Sequence, residues 1–183
     1  MIAASWENVA QLRKFCSNAP DQANTALSRA VNRAVANVKS NISKQVRKKY
    51  LVKASDVKES LKITSATKSN PVAYVRSTGK RIDLSKFSLS PHALFKGEHD
   101  YYIQVRKDGG SKEIPGFAAE APSWGLYRRT GKERYPISRL MGPAVPEMIG
   151  RPGIMRYIEE EGNKTLNKRL AHEVSRMLEA KRT

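Results

Sequence analysis

Acidic residues are scarce in this chain. Seventeen Asp and Glu stand against 34 Lys and Arg in 183 residues, a formal charge of +17. Cysteine is almost absent, and the single Cys16 excludes an internal disulfide framework and a zinc site built from thiolates. No apolar run approaches the ~20 residues of a membrane-spanning helix. The opening Met1-Ile2-Ala3-Ala4-Ser5-Trp6-Glu7 lacks the basic-then-apolar order of a secretory signal. The sequence therefore predicts a soluble protein made in a reducing compartment, without a membrane partner. Aromatics are sparse at 7%, yet a hydrophobic content of 39% lies above the disordered range. A chain of this length can bury roughly two thirds of its unfolded surface, so one domain with helical extensions is expected.

Catalytic motifs are missing as well. There is no Gly-x-Ser-x-Gly elbow and no glycine loop for phosphate. Thr130-Gly131-Lys132 is similar to the end of such a loop, but the upstream glycine is lacking and proline-rich chain follows. Cys16 follows Phe15 in an amphipathic segment with no histidine nearby, which reads as a small packed side chain rather than a nucleophile. His92, Glu98, His99 and Asp100 are the one titratable cluster. They lie between strand candidates with no regular spacing to aim them, so a solvated polar loop is the better reading than a metal or acid–base site. His172, beside Glu173, falls on a polar helix face. The expectation is no enzyme and no cofactor.

What the chain has is positive charge, unevenly placed. From Asp21 to Asp56 no acid intervenes, while Arg29, Arg33, Lys39, Lys44, Arg47, Lys48, Lys49 and Lys53 all fall there. A second cluster holds Arg128, Arg129, Lys132 and Arg134, and a run of acids, Glu159, Glu160 and Glu161, comes late. Such asymmetry attracts polyanions, and it suits contact between identical subunits, basic front against acidic patch. A generally solvated basic surface is the other reading.

Periodicity supplies the elements. Trp6, Val9, Leu12 and Phe15 predict a short helix over residues 5–17, ended by Pro20. Asp21 can cap a long helix to about Tyr50, with Leu27, Val31, Ala34, Val38 and Ile42 as its packing stripe. At 100° per residue Arg29, Arg33, Lys44 and Arg47 fall opposite, with Lys48 alongside. Ser55 is read as the cap of a short helix reaching Leu61. Alternation then predicts strands over 62–67, 72–76, 82–89, 101–105 and 124–129. Six of the nine prolines lie between Pro115 and Pro152, which predicts extended, irregular chain there. A last helix from Pro152 towards Lys181 carries Ile154, Ile158, Leu166, Leu170, Val174 and Met177, with Gly162 in the gap and acids before bases as the helix dipole favours. The fold class is α+β: a long basic N-terminal helix, a small mostly antiparallel sheet and a long C-terminal helix. The expected division is 1–50 for the N-terminal helices, 51–150 for a β-rich core and 151–183 for the C-terminal helix, together one domain.

A basic helix face neutralises phosphates without reading bases, in a strongly salt-dependent way. Tyr101, Tyr102, Tyr127 and Tyr135 can stack on bases, though strand tyrosines are commonly half-buried packing. No sequence-reading motif is present.

Tyr127-Arg128-Arg129-Thr130-Gly131-Lys132-Glu133-Arg134-Tyr135-Pro136-Ile137, followed by Gly142-Pro143-Ala144-Val145-Pro146, resembles the signature of the minor tail protein Z, or tail completion, family of long-tailed phages. The order of segments is similar too: a basic helix, Tyr50-Leu51-Val52-Lys53, a strand pair, Ile114-Pro115-Gly116-Phe117-Ala118, the signature run and a charged C-terminal helix. The likeness spans roughly residues 20–180. The loop from His92 to Asp100 is shorter and less basic than the family's, and nothing is carried over to it. The resemblance implies a non-catalytic virion protein at the head-proximal end of the tail, acting in tail completion or head–tail joining. It implies a homo-oligomeric ring, with a hexamer favoured, beside tail terminator, tail tube or neck proteins and possible non-specific contact with phage DNA. In that picture Gly131 allows a tight turn, Tyr135-Pro136 makes an extended exit, and Arg128, Arg129, Lys132 and Arg134 face DNA or a partner. Glu159, Glu160 and Glu161 would meet a neighbour's basic surface. A rigid turn with solvated arginines remains equally open. The rivals are a sequence-independent nucleic-acid-binding protein outside the particle and, last, a metal nuclease using the His92 to Asp100 cluster.

Overall fold

Most of the acid-free stretch is one helix. In a computed structural model describing residues 20–121 and 123–180, α1 runs Pro20–Lys49, with Asp21 in its first turn and Arg47, Lys48 and Lys49 in its last. Both placements suit the helix dipole, and a proline at the start loses no hydrogen bond. The helix expected over residues 5–17, with Cys16, lies outside the described residues. Next come α2 (Ala54–Glu59), strands β1 (Leu61–Thr64), β2 (Tyr74–Ser77) and β3 (Arg81–Asp83), a 3-10 turn over Leu84–Lys86, then β4 (Ser88–Ser90), β5 (Gly97–Glu98) and β6 (Tyr101–Gln104). β7 (Lys112–Ile114), β8 (Phe117–Glu120), β9 (Trp124–Arg129), β10 (Ile137–Arg139), β11 (Met141–Ala144), α3 (Val145–Ile149) and α4 (Pro152–Ala180) complete the order. The class is α+β, as the periodicity predicts.

The described residues form two compact units. The first holds residues 20–42, 61–77 and 151–180. Its core is a pairing of α1 with α4: Ala23, Ala26, Ala30 and Ala34 pack with Leu166 and Leu170, and Leu27, Val31, Val174 and Met177 flank them half-buried. Of the expected stripe, Ala34, Val38 and Ile42 are buried, whereas towards the start of α1 Ala23, Ala26 and Ala30 take the buried positions expected for Leu27 and Val31. Alanines allow the helices to approach closely and let leucines from α4 fill the seam, so the larger Leu27 and Val31 are displaced to its rim. Gly162 is buried among the α4 stripe. In the same unit β1 and β2 pair antiparallel, Leu61 opposite Ser77 and Thr64 opposite Tyr74. The loop between them is tied to α1 by Asn32, whose amide accepts from Ala66 N at 2.7 Å and donates to Ala66 O at 3.0 Å.

The second unit holds residues 43–60 and 78–150. Its strands form a four-stranded sheet of order β10-β9-β8-β5, a three-stranded sheet β4-β6-β7 and the pair β11-β3, all antiparallel. Three expectations are corrected here. Ser55 does not cap α2; Lys53 holds the N-cap position without a side-chain bond. The strand expected over 82–89 is broken, because the Asp83 carboxylate accepts from Ser85 N at 2.8 Å and Ser85 Oγ at 2.7 Å, winding Leu84–Lys86 into a turn. The stretch from Pro115 to Pro152 is regular rather than irregular, with four strands and α3. Two of its prolines fall where a missing N–H is harmless: Pro143 at the register shift between β11 and β3, Pro146 in the first turn of α3.

Candidate nucleic-acid and partner interface

Along α1, Arg29 and Arg33 in the first unit and Lys44, Arg47 and Lys48 in the second are all exposed, each turned away from the buried positions. This follows from helical geometry: the buried residues recur every three or four positions to Tyr50, and the cations occupy the complementary positions.

The signature run forms the β9–β10 hairpin. Ile137 pairs with Arg129, Ser138 with Arg128 and Arg139 with Tyr127. The tip closes where Thr130 donates twice to Pro136 O, from its N–H at 3.1 Å and its hydroxyl at 2.8 Å. Residues 128–136 are all exposed, Tyr135 at 63%. Two of the four cations lie over aromatic rings, Arg129 at 5.2 Å from the Phe117 centroid and Arg134 at 5.8 Å from that of Tyr135, contacts that hold a guanidinium at the surface while leaving it charged. Gly131 stands in open space outside the left-handed region, so the turn does not draw on its freedom. The Tyr135–Pro136 bond is cis.

The base of the hairpin is organised by Arg139, which sequence reasoning passed over. Its Nε is bonded to Asp83, a carboxylate only 7% exposed; Nη1 donates to Ser123 Oγ at 2.5 Å and Nη2 to Trp124 O at 3.0 Å; the guanidinium lies 5.7 Å from the Tyr127 centroid. A Cβ at Gly125 would come within 2.7 Å of Nη2, so glycine there admits the arginine. A buried aspartate 56 positions from a cation gives no sequence periodicity to find it by.

The acidic run lies on α4. Glu160 pairs with Arg156 at 2.9 Å and Glu161 with Lys164 at 3.6 Å, both along the helix; Glu159 is half-buried. His92, His99 and Asp100 are exposed, and His99 packs edge-on against Phe95 and Tyr101, with centroids 5.6 and 6.3 Å away. Among the described residues no three His, Cys, Asp or Glu are grouped to hold a metal ion, and no helix is long and apolar enough to cross a membrane.

One exposed pair shifts titration. Arg106 donates to Asp108 from Nε at 2.9 Å and Nη2 at 2.6 Å. These bonds hold the Asp108 carboxyl below its usual range and raise Arg106. A lowered carboxyl value favours the folded chain above the ordinary carboxylate pKa, and that contribution is lost as pH falls through the lowered value. Asp108 should therefore titrate by NMR below a typical aspartate, and Arg106→Gln should return it to the ordinary range; an unchanged titration in the variant would contradict the pairing.

A search of curated proteins and a search of solved structures each gave no match. The sequence model described as Prophage minor tail protein Z (GPZ), however, matches residues 7–182, nearly the whole chain. It spans the basic helix, the β9–β10 hairpin and α4 together, and the chain belongs to the prophage minor tail protein Z family.

Proposed function

We propose that this phage tail protein completes the head-proximal end of the tail and enables head–tail joining, as a hexameric ring around the DNA channel. Membership of a minor tail family makes it a structural component of the virion tail. The observation that supports the finer reading is the exposure of Arg29, Arg33, Lys44, Arg47 and Lys48 along α1: a protein at a DNA conduit gains from cations presented to solvent, and they bind phosphates without regard to sequence. The hairpin cations Arg128, Arg129, Lys132 and Arg134 serve a tail terminator, tail tube or neck protein. Glu159, Glu160 and Glu161 serve the neighbouring subunit. The pair Glu160 makes with Arg156 is exposed on both sides and that of Glu161 with Lys164 is exposed at the lysine; surface pairs of this kind are worth about 0–1 kcal/mol and are readily exchanged. Assembly takes place in the host cytoplasm before the particle is complete.

Deleting the gene from the parent phage and examining the lysate by electron microscopy and titre is the decisive experiment. Defective tails, unjoined heads and tails, or intact-looking non-infectious particles are expected. Normal infectious virions would overturn the reading and direct attention to nucleic-acid binding outside the particle.

A second expectation concerns α1. Changing Arg29, Arg33, Lys44 and Arg47 together to Glu should leave circular dichroism and cooperative unfolding intact, since all four are exposed, yet lower infectivity roughly tenfold or more through lost phosphate contacts. An unfolded variant would mean the face is wrongly assigned; full infectivity would reduce the cations to a means of solubility.

A further inference from the structure

The end of α1 meets a turn far from it in sequence. Tyr50 forms an antiparallel bridge with Arg106, fixed by hydrogen bonds from Lys107 N to Lys49 O and from Leu51 N to Val105 O, each 2.9 Å. That register sets Lys49 opposite Lys107. The turn is held in shape by Gln104, whose Nε2 donates to Gly109 O at 2.6 Å and Lys107 O at 3.4 Å, and by Gly109 N, which donates to Arg106 O at 3.2 Å. Its one carboxylate, Asp108, is engaged at both oxygens by Arg106. Lys48, Lys49, Lys53 and Lys107 are all exposed, and no carboxylate of the described residues forms an ion pair with them.

Like charges opposed across a bridge repel one another. The fold nonetheless sets Lys49 opposite Lys107 on a braced scaffold, with Lys48 next to Lys49 in the chain and Lys53 four residues on, an arrangement that a polyanion converts from unfavourable to favourable. Two features decide which polyanion. The large apolar side chains exposed on the described surface, among them Tyr135, Trp124 and Tyr74, all lie outside residues 43–60 and 104–110. Protein interfaces centre on buried aromatic or apolar anchors and are depleted in lysine, whereas phosphate contacts need only the cations. A second copy of the chain is a weaker occupant, because each copy brings 34 bases to 17 acids and its one acidic run, Glu159 to Glu161, cannot cover every basic surface of its neighbour.

We infer that Lys48, Lys49, Lys53 and Lys107 form a binding patch for the phosphate backbone of duplex DNA, without base readout. This rests on the reading that the protein meets DNA, and extends that contact beyond the α1 face to a surface built by the end of α1 and the turn after β6.

The test is fluorescence anisotropy of the full chain with a duplex of random sequence across a salt series. The triple variant Lys48→Gln, Lys49→Gln, Lys107→Gln should lower the slope of log K against log salt by ~2.7, at about 0.9 per phosphate contact, and weaken binding roughly tenfold or more. The corresponding Lys→Arg triple variant, which keeps the charge, should retain both. All three positions are exposed, and matching unfolding curves would confirm that the comparison concerns the surface alone. Binding by the parent chain with an unchanged slope in the Gln variant would overturn the patch while leaving DNA contact elsewhere intact. Failure of the parent chain to bind the duplex even at low salt would overturn the DNA reading itself, and the patch with it. Tighter binding to polyglutamate than to duplex DNA at equal charge and salt, lost in the Gln variant, would reassign the patch to acidic proteins and likewise overturn it.

Discussion

Replacing Arg139 with alanine should destabilise the second unit by about 2–4 kcal/mol, measured by urea unfolding. The figure follows from what is left behind. Asp83 is 7% exposed, and without the guanidinium its charge keeps only the two bonds from Ser85. Breaking a fully buried pair from one side costs ~3–5 kcal/mol; Arg139, with 31% of its side chain exposed, warrants the lower end. The same change releases Ser123 Oγ and Trp124 O, so amide exchange should rise first at the base of the β9–β10 hairpin. Adding Asp83→Asn to Arg139→Ala removes the stranded charge and should recover part of the loss. A loss below about 1 kcal/mol, with no recovery in the double variant, would mean that Asp83 is effectively solvated and that the hairpin is held by its strands alone.

Leu170→Ala in the first unit should be as damaging, about 2–5 kcal/mol, because the side chain is 1% exposed and a cavity remains in the seam between α1 and α4. Ala30→Leu attacks the same seam from the other side. At 1% exposure there is no room for three further carbons, and overpacking should cost roughly 1–3 kcal/mol. Leu27→Ala, at the half-buried rim, should cost less than Leu170→Ala despite removing the same atoms. Should Leu27→Ala prove the worse of the two, the alanine-lined seam would be wrongly placed and the stripe of larger residues expected from hydropathy would be restored.

That contrast shows what could be read from the residues. Both long helices, the α+β class and β9 over 124–129 follow from period and punctuation, since these are properties of consecutive residues. The burial of Ala34, Val38 and Ile42 follows too, but that of Ala23, Ala26 and Ala30 ahead of Leu27 and Val31 does not. Hydropathy ranks Leu27 and Val31 above Ala26 and Ala30, and only the approach of α4 makes smallness the deciding property. The break at Leu84 was hidden for a related reason: a carboxylate bonding two positions ahead competes with strand pairing, and alternation is blind to it. For the candidate surfaces, exposed cations on α1 could be placed by helical geometry alone. Arg139 with Asp83, and Lys49 with Lys107, could not, because each pair is created by chain reversal between distant segments. The hairpin was legible as a family signature, while its closure by Thr130 on Pro136 O is a matter of coordinates.

The pairing of α1 with α4 also sets a timetable. Ala23 to Ala34 are made well before Leu166 and Leu170, the leucines that cover them, with all the strands in between. Strands between residues 78 and 150 can close on one another while the chain is still attached to the ribosome, but the alanine seam must wait, and contacts so distant in sequence form slowly. A truncated chain lacking α4 would present Arg29 and Arg33 without the helix that packs behind them. Closure of this seam thus waits on the synthesis of α4, and only a chain that includes α4 carries the finished pairing.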